Sequence, residues 1–224
     1  MKPSLILMFT HNDVTTEDAI ERFEEVKDLN IDYYGFKEIG LSLDEMKKLC
    51  DGIHSIGKVA FLEVVEYEEN KISGPAKMSV DMGFDYLMGT IYYPSIWDII
   101  DKSIKYMPFC GKVYGRPSVL DGTIAEIVED AKKIEKEGVD GFDILAYRYK
   151  YKDKINDLID SLKRAISIPI VLAGSINSFK RLDETISQDI WAFTVGSALY
   201  EKKFVPNGNF RDNVVAVLKR LGKI

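Results

Sequence analysis

The sequence has 224 residues, of which 46% are hydrophobic and 29% are charged, and its formal net charge is -6 at pH 7. This composition supplies enough apolar side chain for a sizeable core, and the acidic excess argues against a nucleic-acid partner, because binding a phosphate backbone needs a basic face. No apolar run approaches the ~20 residues that cross a bilayer, so we expect a cytoplasmic protein with no membrane partner.

Short apolar runs alternate with longer amphipathic segments from end to end. Most of the runs are continuously apolar, as in parallel strands that are covered on both faces. The first run, in MKPSLILMFTHND, is typical of a buried strand rather than a signal peptide, because it is short and is followed by His and Asp. The predicted strands are Leu5–Phe9, Tyr33–Ile39, Lys58–Val64, Tyr86–Gly89, Gly111–Gly115, Gly141–Ala146, Ile168–Ala173 and Ala192–Gly196.

The segments between these runs carry apolar residues at helical spacing. Ser42 stands three residues before Glu45, which is the arrangement of a capping box, and Gly138 follows one of the apolar stripes as a C-terminal cap residue. The predicted helices are Thr16–Leu29, Ser42–Ile56, Lys77–Met82, Ile96–Tyr106, Thr123–Glu137, Asp153–Ala165, Ser178–Ser187 and Asn209–Leu221.

Eight strands that are each followed by a helix predict a single (β/α)8 TIM barrel over residues 1–224. No Pro-, Gly- or Ser-rich linker marks a domain boundary. A doubly wound open sheet also alternates strands and helices, but it usually has a glycine-rich first turn. The first turn here, from Phe9 to Asn12, contains no glycine, so the barrel is favoured.

Two predicted strands run directly into a Gly-Ser pair, Gly174-Ser175 in one case and Gly196-Ser197 in the other. Glycine lets a phosphate approach the backbone, serine adds a hydroxyl donor, and a following helix start offers N–H groups. Barrels often bind phosphate in the loops after strands seven and eight. The pattern therefore predicts a phosphate site, although the glycines could also serve only to close tight turns.

The segment from residue 168 to residue 204, with PIVLAGSIN and FTVGSALYEKKF, resembles the C-terminal quarter of the ribulose-phosphate-binding barrels. That group includes the histidine- and tryptophan-pathway isomerases, the hexulose-phosphate decarboxylases and N-acetylmannosamine-6-phosphate epimerase. The rest of the chain is similar to the group in architecture alone. The resemblance implies that Gly174, Ser175, Gly196 and Ser197 are phosphate ligands.

Other family patterns are missing. The Asp-x-Lys-x-x-Asp pattern of the phosphate-sugar decarboxylases is absent, the first strand lacks the aspartate of the histidine-pathway isomerases, and His11 and His54 cannot supply the metal ligands of the pentulose-phosphate epimerases. The resemblance then leaves a metal-independent isomerase, epimerase or aldolase.

Three ionisable residues stand inside otherwise apolar predicted strands: Lys37, Glu63 and Asp143. Burying a charge costs several kcal/mol unless it is paired. These residues therefore either pair with one another to hold strands in register or carry out acid–base chemistry beside a carbonyl. Lys37 could also form a Schiff base.

Further polar residues lie at predicted strand ends. His11 is a candidate assistant in catalysis or a hydrogen-bonded loop residue, and Arg116 and Arg148 could orient a substrate anion or pair with surface acids. Cys50 and Cys110 lie in unrelated segments without CxxC spacing, so we expect reduced thiols and no zinc site. Cys110 is expected at the start of the fifth strand, away from the site.

We therefore expect a metal-independent isomerase, epimerase or aldolase of carbohydrate metabolism. It would need no cofactor and would act on a small phosphorylated sugar or sugar acid by proton transfer. Two alternatives remain open: a non-catalytic barrel that binds a phosphorylated effector, and an FMN-binding oxidoreductase. The sequence also leaves a homodimer and assistance by Mg²⁺ open.

Overall fold

The computed structural model describes residues 2–224. Eight parallel strands form a nearly closed barrel with alternating helices, as predicted for a (β/α)8 TIM barrel. The chain divides into two compact units. The first holds the residues up to Leu62 together with Ser175–Ile224, and the second holds Glu63–Gly174. The single domain over residues 1–224 stays a prediction.

The first unit contains four of the parallel strands, in the order β12-β1-β4-β5. In the register of β1, Ile6 lies opposite Thr194 of β12 and Tyr33 of β4. Its elements are β1 Ser4–Met8, β2 Thr10–His11, β3 Val14–Thr15, α1 Ala19–Val26, β4 Tyr33–Lys37, α2 Leu43–Ser55, β5 Val59–Glu63 (whose last residue belongs to the second unit), α7 Phe179–Ser187, β12 Ala192–Val195, α8 Ser197–Tyr200 and α9 Phe210–Leu221.

The second unit contains the parallel pairs β6–β7 and β10–β11 and an antiparallel hairpin, β8–β9. Its elements are α3 Glu69–Asp81, β6 Tyr86–Met88, α4 Pro94–Ile100, β7 Lys105–Met107, β8 Lys112–Tyr114, β9 Val119–Asp121, α5 Ile124–Glu135, β10 Phe142–Ile144, α6 Ile155–Ala165 and β11 Ile170–Leu172, with single turns of 3-10 helix at Ala146–Arg148 and Lys152–Lys154.

Local sequence signals explain where several helices begin. The Ser42 side chain accepts the backbone N–H of Glu45, and the Glu45 carboxylate accepts the backbone N–H of Ser42, which completes the predicted capping box of α2. Thr123 and Asn209 start α5 and α9 with the same reciprocal arrangement. These bonds satisfy N–H groups that have no partner within the helix.

The fifth parallel strand is Lys105–Met107, so the prediction of Gly111–Gly115 is wrong. Helix α4 ends at Ile100, because Asp101 turns left-handed with φ 44°, and the chain enters β7 where the sequence pattern predicted continuing helix. Gly111 and Gly115 instead have φ of 77° and 83° and lie on either side of β8, the first strand of the hairpin. Glycine adopts such angles without steric cost.

Helix α3 is longer than predicted. It runs from Glu69 to Asp81 with Pro75 inside it, whereas the sequence pattern predicted Lys77–Met82. A proline removes one helical hydrogen bond, but Ile72, Ala76 and Ser79 all bury their side chains on one face of this helix. Burial of that face overrides the local signal.

Each unit contains an aromatic cluster with one of the two tryptophans, each of which is half-buried. In the first unit, Trp191 lies 5.3 Å from Tyr33 and 6.3 Å from Phe61, measured between ring centroids. In the second, Trp97 of α4 lies 5.9 Å from Tyr106 of β7, and its indole N–H donates to the Glu137 carbonyl.

Candidate functional site

In (β/α)8 barrels, the loops at the carboxyl ends of the strands carry the chemistry. The first predicted phosphate turn follows β11 at this end. Gly174 and Ser175 both have positive φ angles, 76° and 63°. Positive φ is uncommon for serine, and Arg181 of α7 donates an Nη1–H to the Ser175 carbonyl at 2.6 Å, which braces the turn.

Arg148 lies against Gly174. A Cβ atom on residue 174 would fall 2.8 Å from Arg148 Nε and 3.0 Å from its Cδ. The absence of a side chain at Gly174 therefore makes room for the guanidinium, which is half-buried. A fixed cation beside a glycine turn has the chemistry of an anion site. The role of Arg148 in orienting a substrate stays a prediction.

The second predicted phosphate turn joins β12 to α8. A Cβ atom on Gly196 would lie 2.5 Å from Thr10 Oγ1 and 3.0 Å from Thr10 O, so the turn packs directly on the strand that follows β1. Ser197 Oγ accepts the backbone N–H of Asn12 at 3.3 Å. That bond does not use the hydroxyl hydrogen of Ser197, which can still be donated to an anion. Because α8 is a single turn, its dipole adds little.

Lys37 is the last residue of β4 and is only 4% exposed. Its Nζ lies 3.3 Å from Asp13 Oδ1. Thr15 holds the Lys37 backbone on both sides: its hydroxyl donates to the Lys37 carbonyl at 2.9 Å and accepts the Lys37 N–H at 2.8 Å. A buried ammonium beside a more exposed carboxylate can stabilise a developing oxyanion or exchange a proton.

Sequence reasoning missed the hairpin that carries Asp13. The strands β2 and β3 pair antiparallel around Asn12 and Asp13. Asn and Asp between two short polar strands are typical of a tight hairpin turn, so the signal was present. It is weak because each strand has only two residues.

His11 contacts residues that follow the second glycine turn. Its ring stacks on Tyr200 at 5.9 Å, and its Nε2 lies 3.6 Å from Glu201 Oε1. These contacts are those of a braced loop residue, the alternative that the sequence left open. The catalytic role of His11 stays a prediction.

In the second unit, Glu63 and Asp143 approach the same glycine. A Cβ atom on Gly89, which has φ 85°, would lie 2.9 Å from Glu63 Cγ and 3.6 Å from Asp143 Oδ2. Asp143 is 1% exposed, and its backbone N–H donates to the Pro108 carbonyl at 3.0 Å. The structure thus brings together these two predicted acid–base residues, Glu63 at the end of β5 and Asp143 in the middle of β10.

Cys110 lies beyond the carboxyl end of β7, so its expected position at the start of the fifth strand, away from the site, is wrong. Burial raises the pKa of the Cys110 thiol, and the carboxylates of Asp130 and Asp143 raise it further. The thiol is therefore neutral at physiological pH and is a poor nucleophile.

Arg116 belongs to the β8–β9 hairpin and points to the loop after β5. Its Nη2 donates to the Val65 carbonyl at 2.9 Å and to Glu66 Oε1 at 2.8 Å. Tyr67 on the same loop donates its hydroxyl to the Gly115 carbonyl at 2.7 Å. Arg116 therefore pairs with a surface acid, the second of its two predicted roles, and a substrate contact stays a prediction.

Within residues 2–224, no three His, Cys, Asp or Glu side chains are grouped so as to hold a metal ion. His54 lies in α2, with its Nδ1 4.0 Å from Cys50 Sγ. In the same range, no helix combines the length and apolar character that crossing a membrane requires. Independence of a metal stays a prediction.

No family model matches this sequence, and no curated protein matches it either. Solved structures do share its fold. An orotidine 5'-phosphate decarboxylase from Pyrococcus horikoshii OT3 superposes with a TM-score of 0.69 at 15% identity, over 98% of this chain and 100% of that one. A structure described as native KDPGal gives 0.71 at 13% identity, over 100% and 96%. The fold that these structures share with this chain is the (β/α)8 barrel.

The group that the C-terminal segment resembles is also represented. An N-acetylmannosamine-6-phosphate 2-epimerase from Clostridium perfringens gives a TM-score of 0.63 at 12% identity, over 88% of this chain and 87% of that one. At this level of identity the likeness confirms the fold and leaves the chemistry to the residues.

Proposed function

We propose that this protein is an enzyme of carbohydrate metabolism that acts on a small phosphorylated sugar or sugar acid as an isomerase, epimerase or aldolase. The observation that carries the proposal is the pairing, within the first unit, of a glycine-serine turn with a buried lysine. Ser197 Oγ accepts a hydrogen bond from the backbone N–H of Asn12, and Asp13, the residue after Asn12, contacts Lys37. A hydrogen-bond donor for an anion and an acid–base group thus contact the same hairpin.

Phosphate binding is assigned to the two glycine-serine turns. Each turn, taken by itself, contains backbone N–H groups and a serine hydroxyl, which are the kinds of donor that a phosphate needs. Arg148 at Gly174 adds a positive charge. A local cationic site in a chain of net charge -6 suits one small anion better than a polyanion.

The chemistry is assigned to proton transfer beside a carbonyl. In this reaction a base removes a proton from the carbon next to the carbonyl, and an acid returns it to the other face or to the neighbouring atom. The Lys37 ammonium would stabilise the enolate oxygen, which a buried cation does more strongly than one in water. Glu63 and Asp143 are the second pair of acid–base candidates, and His11 is a further one.

The fold supports this assignment by analogy. Its structural neighbours include an epimerase and a decarboxylase, each named for a phosphorylated compound. One fold hosts many activities, so the named residues rather than the neighbours must carry the test. We further propose that the protein acts in the cytoplasm, since both cysteines are buried and do not form a disulfide with each other.

The test is solvent deuterium exchange. A panel of ketose, aldose and sugar-acid phosphates is incubated with the protein in D₂O, and proton NMR follows the hydrogens next to each carbonyl. We expect exchange in at least one compound, and Lys37→Met should slow it by ~100-fold or more while inorganic phosphate still binds. EDTA should leave the rate unchanged; a loss that Mg²⁺ restores would reassign Glu63 and Asp143 to metal binding.

Other outcomes separate the alternatives. Phosphate binding without exchange in any compound would favour the non-catalytic effector barrel. Failure to bind inorganic phosphate or any sugar phosphate would refute the proposal. A yellow purified protein would favour the FMN-binding oxidoreductase.

A further inference from the structure

The β2–β3 hairpin reverses at two consecutive left-handed residues. Asn12 has φ 52° and Asp13 has φ 62°. Such a pair forms a tight turn that fits the twist of a two-stranded ribbon, and Asn and Asp tolerate it better than most residues. From this one turn, Asn12 contacts Ser197 and Asp13 contacts Lys37.

One side of the hairpin is fixed to the second predicted phosphate turn. The backbone N–H of Asn12 donates to Ser197 Oγ at 3.3 Å. Thr10, at the start of the hairpin, lies directly under Gly196, where a Cβ atom would meet its Oγ1 at 2.5 Å. Thr16, just after the hairpin, shares a hydrogen bond of 2.9 Å with the hydroxyl of Tyr200 in α8.

The other side is fixed to the end of β4. Asp13 Oδ1 lies 3.3 Å from Lys37 Nζ, and Thr15 makes two hydrogen bonds to the Lys37 backbone. The Asp13 side chain is 39% exposed, whereas that of Lys37 is 5% exposed. The carboxylate thus holds the lysine from the solvent side.

We propose that Asp13 is a positioning residue that links occupancy of the Gly196–Ser197 turn to the side chain of Lys37. A phosphate that accepts the Ser197 hydroxyl hydrogen polarises the oxygen, which strengthens its bond from Asn12 N–H. The tighter turn fixes Asp13, and Asp13 fixes the Lys37 ammonium. Binding of the substrate's phosphate therefore orders the Lys37 side chain. When an unphosphorylated analogue binds, this side chain stays less ordered. This inference rests on the proposed phosphate role of Ser197.

The experiment measures the reactivity of Lys37 with cyanate, a small reagent that carbamylates unprotonated amines. Peptide mass spectrometry follows the modification in wild-type protein, in Asp13→Asn, and in Asp101→Asn, a control at another left-handed aspartate with φ 44°. Each is compared without phosphate and with saturating inorganic phosphate, and calorimetry establishes saturation. Lys58 serves as the internal reference in the same digest.

Phosphate should slow carbamylation of Lys37 about fivefold or more in wild type and in Asp101→Asn, and by less than about twofold in Asp13→Asn. If Asp13→Asn does not fold, Asp13→Gly, which suits the left-handed turn, carries the same expectation.

Equal protection in wild type and Asp13→Asn would mean that phosphate shields the lysine directly, and would overturn the inference. Phosphate binding with no change at Lys37 would overturn it as well while leaving the proposed function standing. Absence of phosphate binding in the wild-type protein would overturn both.

Discussion

Gly174 and Gly196 occupy equivalent places in the sequence pattern, yet the structure requires them for different reasons. Gly174 has a left-handed backbone, and the Arg148 side chain occupies the space that a side chain on residue 174 would take. Gly196 has a negative φ of -128° and is constrained by close packing against its neighbours, with Thr10 the nearest. A side chain at residue 174 would therefore meet a left-handed backbone and Arg148, whereas one at residue 196 would meet Thr10.

This difference leads to a matched test of Gly174→Ala against Gly83→Ala. The two glycines have nearly the same φ, 76° and 78°, but a Cβ atom on Gly83 meets no atom within 4 Å. Both substitutions should cost roughly 1–2 kcal/mol of stability from the left-handed backbone. Only Gly174→Ala displaces Arg148, so only it should weaken binding of inorganic phosphate, by about tenfold or more.

Calorimetry and thermal melting distinguish the two effects. Equal phosphate affinity in wild type and both variants would remove Gly174 and Arg148 from the proposed anion site.

At the level of elements, the sequence predicted the parts whose signals are long and regular. Capped amphipathic helices such as α2 and α5 were placed within one or two residues at their starts. The two polar hairpins, β2–β3 and β8–β9, were missed because strands of two or three residues have too few positions to show alternation. Ile104, just before β7, and Tyr106 and Met107 within it continue the apolar pattern of α4, so the sequence shows no sign of the break at Asp101.

The same limit applies to the candidate site. Lys37, Glu63 and Asp143 were found because charge stands out in an apolar strand. Asp13 was expected only as a polar residue at the end of the first strand, with no role assigned, and Cys110 was misplaced together with its strand. Contacts between residues far apart in sequence, such as Asn12 with Ser197, leave no mark in a single sequence.

Tyr67→Phe tests what holds the β8–β9 hairpin. The Tyr67 hydroxyl donates to the Gly115 carbonyl and so accepts from the Ser118 hydroxyl, both at 2.7 Å. Ser118 is 5% exposed, and removing the tyrosine hydroxyl should cost about 0.5–1.5 kcal/mol per bond. We expect faster amide hydrogen exchange across residues 111–121.

The control is Tyr114→Phe within the hairpin, which loses only a bond to Asp121 on a ring that is 40% exposed. Exchange that rises equally in both variants would show that Tyr67 has no special part in holding the hairpin.

For the protein as a whole, the free energy of unfolding should depend on pH through the protonation of Asp32. Hydrogen bonds from Lys58 and then Lys223 lower the pKa of this carboxyl in the folded protein. A lowered pKa stabilises the fold at pH values above the pKa of the unfolded state, about 3.9. This stabilisation is lost as the pH falls through the pKa of the folded state. Because the side chain is 46% exposed, the contribution is at most about 1 kcal/mol.

Asp32→Asn should therefore lower the melting temperature at pH 7. The difference in melting temperature between this variant and wild type should disappear below about pH 4. Asp160→Asn, at an exposed position of α6, provides the control. A gap for Asp32→Asn that stays constant down to pH 2 would show that its loss acts through packing rather than through charge.

The distribution of the two tryptophans gives each compact unit its own fluorescent reporter, Trp191 in the first and Trp97 in the second. Trp97→Phe leaves an emission signal from the first unit, and Trp191→Phe leaves one from the second. If residues 1–224 form a single domain, urea should unfold both reporters at the same midpoint after correction for the stability of each variant. Midpoints that differ would reveal two separately melting halves and a partly unfolded species between them.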